Sequence, residues 1–158
     1  MRTLLVALVC TVAMSASAAG VAVDATVTAP IHQFIDNFNK GDVKAAEATH
    51  VAEPIIVDEV APYRWQGHGA FKTWLDDLDK SDKAHGVTDG FVKLGDPIRQ
   101  EISGDNAYVV MACDYLFKQK SVSMKAPAQM TFALQKEKDG WRISGWTYAA
   151  PQGTPVKP

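Results

Sequence analysis

The sequence predicts an α+β fold in which helices come first and a long antiparallel sheet then curls around them, leaving a hollow between the two layers. Three observations carry this reading. Apolar residues recur at helical spacing in two stretches ahead of Gly86. From Gly90 the pattern changes to period two and holds to Ala149. The period-two stretches are separated by turn clusters, Ser103-Gly104-Asp105-Asn106 and Lys138-Asp139-Gly140.

The chain has 158 residues, and its opening is not part of that domain. Met1-Arg2, the apolar run Thr3 to Met14 and the small-residue end Ser15-Ala16-Ser17-Ala18-Ala19 are the marks of a secretory signal peptide, residues 1–18, with cleavage expected after Ala18. The mature protein is therefore expected in the periplasm or secreted. No later segment reaches the roughly 20 apolar residues that span a bilayer, so no membrane partner is expected for the mature form. Cys10 leaves with the signal, and Cys113 alone cannot make an intrachain disulfide. Stability must come from an ordinary core, for which Trp65, Trp74, Trp141 and Trp146 supply large bodies. With 16 basic and 18 acidic residues and no basic stripe, nucleic acid is an unsuitable partner.

Residues 19–28 are small and polar and read as a flexible leader, and residues 29–150 as the domain. Ile31, Phe34, Ile35 and Phe38 define a first helix opened by Ala29-Pro30, with Pro in its first turn, and closed by Asn39-Lys40-Gly41. Asp42 can cap a short second helix, Val43 to His50, before a first strand, Ile55 to Asp58. Phe71, Trp74, Leu75 and Leu78 define a third helix after Gly67-His68-Gly69. The strands that follow are Gly90 to Ile102, broken at Asp96-Pro97, then Ala107 to Lys118, Ser123 to Lys136 and Trp141 to Ala149. The end, residues 151–158, reads as a loose tail.

The run Pro54 to Leu75 concentrates the candidate chemistry. Asp58 sits where a strand opens into a loop, a place where a carboxylate can face a cavity and act as a general base. Strand alternation sends the neighbouring Glu59 to the surface. Asp114 interrupts an apolar strand and shares a face with Tyr108, Val110 and Ala112, so it is a weaker candidate, balanced by a wet position at the sheet rim. His68, at the third helix entry, is a weak candidate second proton carrier, set against an exposed capping role. Phe34, Trp65, Tyr108 and Trp146 are the candidate pocket walls. The four histidines have no metal-ligand spacing, and no metal or cofactor is expected. Cys113 reads as a small buried hydrophobe. The acids Asp76, Asp77, Asp79 and Asp82, interleaved with lysines, read as a solvated helix end.

The helix ending Phe38 to Asp42, the Val57-Asp58-Glu59 strand end, the Gly67-x-Gly69-Ala70-Phe71 helix entry and the closing Asp139 to Trp146 stand in an order that resembles the SnoaL-like and ketosteroid-isomerase-like branch of the nuclear transport factor 2 superfamily. The resemblance spans roughly Ala29 to Ala150. It implies a cone-shaped sheet around three helices, a deep apolar pocket for a small apolar molecule, and a homodimer formed through the outer sheet face. It also places Asp58 where the isomerases keep their general base. The isomerases' helix tyrosine is matched here by Phe34, and Gln129 to Phe132 offers no late-strand acid, so that oxyanion hole is absent. The expected function is an exported pocket protein with Asp58-based isomerase, dehydratase or cyclase chemistry, or alternatively a non-catalytic binding or dimerisation module of the same fold.

Overall fold

The computed structural model describes residues 23–156. The predicted signal peptide and Cys10 lie outside the described residues. In chain order the elements are α1 (Ala25–Asn39), α2 (Val43–Glu47), β1 (His50–Val57), β2 (Arg64–Gln66), α3 (Ala70–His85), β3 (Val87–Ser103), β4 (Asn106–Gln119), β5 (Val122–Glu137), β6 (Gly140–Ala149) and β7 (Thr154–Pro155). This is the expected α+β order, helices before a large curved, unclosed sheet.

Helix α1 starts earlier than the periodicity indicated, because Asp24 is an N-cap whose carboxylate accepts the Thr26 N–H at 2.9 Å. The last residues assigned to the leader are thus helical, and Val27 and Thr28 are buried. Pro30 consequently stands inside the helix and not in its first turn. At the other end Asn39 brackets one residue of β3: its amide N–H donates to the Val92 carbonyl at 2.8 Å and its oxygen accepts the Val92 N–H at 2.9 Å. Helix α2 stops at Glu47, short of the expected His50, because the chain has already entered β1 there.

The strand order is β2-β1-β6-β5-β4-β3, with β7 on the free part of β5. Strand β1 runs parallel to β6 and every other pair is antiparallel, so the sheet is mixed and not purely antiparallel as expected. The long excursion through α3 and the hairpins β3 to β5 returns β6 to the flank of β1 in the same direction. The register of β3 shifts on both sides of Pro97, which has no N–H for the ladder, as the Asp96-Pro97 break predicted.

The tail is not loose where it is described. Thr154 and Pro155 pair with Lys125 and Met124, and Gly153 lies so close to Phe117 that a Cβ there would meet the ring at 2.8 Å. That close approach needs glycine.

The inner sheet face and the helices meet around Phe34. Its ring centroid lies 6.2 Å from Phe38, 4.8 Å from His50, 6.0 Å from Phe71, 6.5 Å from Trp74 and 5.6 Å from Trp146. One side chain of α1 thus joins β1, α3 and β6, and large aromatics dominate the burial.

Because the Asn39 amide satisfies both backbone groups of Val92, Asn39→Ala is expected to cost about 1–3 kcal/mol by leaving them unpaired. Urea unfolding checks this, and an unchanged midpoint would show that the bracket carries no stability.

Candidate functional site

Between the helices and the sheet lies a cavity of about 480 Å³. Its floor is the aromatic cluster, with Phe34, Trp74 and Trp146 in the wall, and its rim includes Pro151, Gln152 and Gly153 of the pinned tail. Asp58 enters this space because Pro54 and Ile56 are the buried side of β1 and Asp58 continues their parity, while Ile55 and Val57 face out.

Two donors hold the Asp58 carboxylate. The Trp74 indole N–H reaches Oδ2 at 2.7 Å from α3, and the Glu59 backbone N–H reaches Oδ1 at 2.7 Å. Burial pushes its pKa above the usual aspartate range, and the two hydrogen bonds pull down without cancelling that push. Each oxygen keeps a further lone pair for a ligand.

Two more carboxylates share the cavity. Glu59 is exposed, as the strand alternation predicts, and it also borders the cavity at its open side. Its pKa is raised by burial and by the Asp58 charge. Asp82 departs from the solvated helix end expected of the α3 acids. It lines the cavity, with its pKa pushed up to about 6 by burial, then by Asp79 and Asp58, against a smaller opposite effect of His85. The signal for it was present: Trp74, Leu78 and Asp82 follow each other at i, i+4 and i+8 on one face of α3, and all three line the cavity.

The sheet contributes two phenols, Tyr115 on β4 and Tyr148 on β6. Burial raises both pKa values, with Asp58 and Glu59 adding to the shift. The Tyr148 hydroxyl is buried without a hydrogen-bond partner among the described residues.

Other candidates stand elsewhere. The inward face of β4 carries Ala107, Val109, Met111, Cys113 and Tyr115, so Asp114 and Tyr108 point to the opposite face. Asp114 pairs there with Lys125 at 2.8 Å, and Tyr108 is 42% exposed beneath the Arg99 guanidinium. The alternation of apolar residues along β4 marks the inward face, and Asp114 takes the solvent-side alternative. Trp65 is buried on β2, and its indole N–H donates to Asp77 at 3.0 Å, outside the cavity. His68 is exposed between Gly67 and Gly69, away from the cavity.

His50 is the histidine that enters the core. Its Nδ1 lies 3.1 Å from the Ala46 carbonyl, which can only accept, so Nδ1 carries the proton and Nε2 accepts the Trp146 indole N–H at 3.1 Å. Burial lowers its pKa to about 4, so the ring is neutral and anchors Trp146 in the cavity wall.

The family model of the SnoaL-like domain matches residues 27–151. No curated protein matches the chain. Among solved structures, a ketosteroid isomerase-like protein from Erwinia carotovora atroseptica is 20% identical over 81% of this chain and 95% of its own, with a TM-score of 0.63. The hexachlorocyclohexane dehydrochlorinase LinA-type3 from Novosphingobium barchaimii is 14% identical over 84% and 88%, with a TM-score of 0.69. An NTF2-like protein with a cystatin-like fold from Novosphingobium aromaticivorans is 15% identical over 82% of each chain, with a TM-score of 0.64. At these identities the likeness is one of fold.

The Asp82 shift fixes a pH dependence of stability. Its folded pKa, about 6, exceeds the unfolded value near 3.8, so its contribution is fully present below the unfolded value and is lost as pH rises through about 6. Asp82→Asn removes that loss. Melting temperatures of the two proteins should therefore diverge between about pH 4 and pH 6, the variant being the more stable above, and parallel curves would show that Asp82 is solvated.

Proposed function

We propose that this chain, which belongs to the SnoaL-like domain family, binds a small, largely apolar molecule in the cavity and moves a proton of that molecule with Asp58, in chemistry of the isomerase, dehydratase or cyclase type. The observation that carries the reading is the placement of Asp58: a carboxylate at the mouth of an aromatic cavity, raised in pKa by burial and fixed by an indole N–H at 2.7 Å. A base so held can take a proton from a carbon next to a carbonyl and return it elsewhere. The phenols of Tyr115 and Tyr148 face the same space and supply donors that Phe34 cannot. Relatives of the same fold named as an isomerase-like protein and a dehydrochlorinase agree with a proton-transfer role.

The amino-terminal pattern supports export of the mature domain, and the outer sheet face supports pairing of two copies. That face presents Thr131, Ala133 and Thr147 in cross-strand register, flanked by Ile55 and Val57 at 41% and 37% exposure.

A second reading rests on a specific observation. Both Asp58 oxygens already have protein donors, so the acid also serves as a structural link between β1 and α3 in a non-catalytic binding protein.

Exchange in heavy water separates the two. With small aromatic ketones that bind, the wild-type protein is expected to wash deuterium into the carbon next to the carbonyl, and Asp58→Asn to slow this by about a hundredfold or more while leaving binding in place. Exchange undiminished in the variant rules out Asp58 as the base. Binding without exchange in the wild type selects the second reading.

A further inference from the structure

We infer that the molecule suited to this cavity is a small organic cation, an amine or alkylammonium group on an aromatic or aliphatic body. The inference rests on the reading that the cavity is a ligand site, and adds the sign of the ligand's charge.

The distribution of charge argues for it. Among the described residues the acids lining the cavity are Asp58, Glu59 and Asp82, the only basic side chain in its wall is His85, and no lysine or arginine lines it. Acids outside are treated differently: Asp77 pairs with Lys80, Asp89 with Lys118 and Asp114 with Lys125. None of the three cavity carboxylates has such a partner among the described residues. Their charges repel one another, Asp58 acting on both Glu59 and Asp82. Low-dielectric walls strengthen that repulsion, and a bound positive charge relieves it.

The remaining wall suits an organic cation better than a metal ion. Among the described residues no three histidine, cysteine or carboxylate groups are placed to hold one ion. The rings of Trp74, Tyr115, Phe117 and Tyr148 line the cavity beside the acids, and aromatic rings attract a nearby cation. The volume of about 480 Å³ lies within the range of small-molecule sites. A carboxylate or phosphate ligand would meet three like charges with no basic clamp.

Three probes of similar shape test this: 2-phenylethylammonium, 2-phenylethanol and 3-phenylpropanoate, titrated near pH 8 where the acids are ionised, with tryptophan fluorescence and NMR shifts as readouts. The cation is expected to bind about tenfold tighter than the alcohol, and the anion not at all. Asp82→Asn and Glu59→Gln should each shrink the cation's advantage, and the alcohol's affinity for each variant reports that the cavity is intact. Equal affinity for cation and alcohol, or preference for the anion, overturns the inference and leaves the pocket reading standing. Failure of all three to shift a cavity resonance counts against both.

Discussion

A single indole N–H ties the candidate site of this protein to its fold. Trp74 reaches from α3 to the carboxylate of Asp58 at 2.7 Å, and its ring packs edge-on against Trp146 at 4.9 Å and tilted by 31° against Phe38 at 5.6 Å. The same side chain therefore closes the floor of the cavity, fixes the end of β1 and orients the one acid whose position matches a general base. Removing water from the site raises the acid's pKa, and the indole keeps the ionised form accessible. These opposing effects leave the Asp58 pKa raised.

The polar groups of the core are otherwise settled pairwise. His50, neutral with Nδ1 on the Ala46 carbonyl, accepts the second indole, that of Trp146. The two cavity indoles thus each have one acceptor, an acid for Trp74 and an imidazole for Trp146, and the aromatic cluster around Phe34 fills the space between. Two buried polar atoms are left without a partner among the described residues, Gln100 Oε1 and the Tyr148 hydroxyl, the latter at the cavity.

Much of the fold was legible because local periodicity and turn chemistry agree in this chain. The spacing of Phe71, Trp74 and Leu78 located α3, and Asp96-Pro97 located the break in β3. Asp58 could be aimed inward because Pro54 and Ile56 lead to it along one face of β1. What failed were inferences made from charge alone. Asp114 drew attention to the wrong face of β4, and Asp82 was lost among paired surface acids although it stands on the apolar stripe of α3. The parallel pairing of β1 with β6 and the pinning of Thr154 on β5 are long-range contacts with no local signal. The cap at Asp24 stands ahead of the Ala29-Pro30 signal from which the periodicity starts the helix.

The central claim is that Asp58 is a partly desolvated carboxylate held by Trp74 inside the cavity. Carboxyl-carbon NMR of Asp58 across acidic to neutral pH, followed together with the Trp74 indole N–H resonance, tests it most directly. The claim predicts an Asp58 midpoint clearly above the roughly 3.9 of a free aspartate, with the indole resonance moving at the same pH. A midpoint at or below that value, or an indole that does not respond, would contradict it.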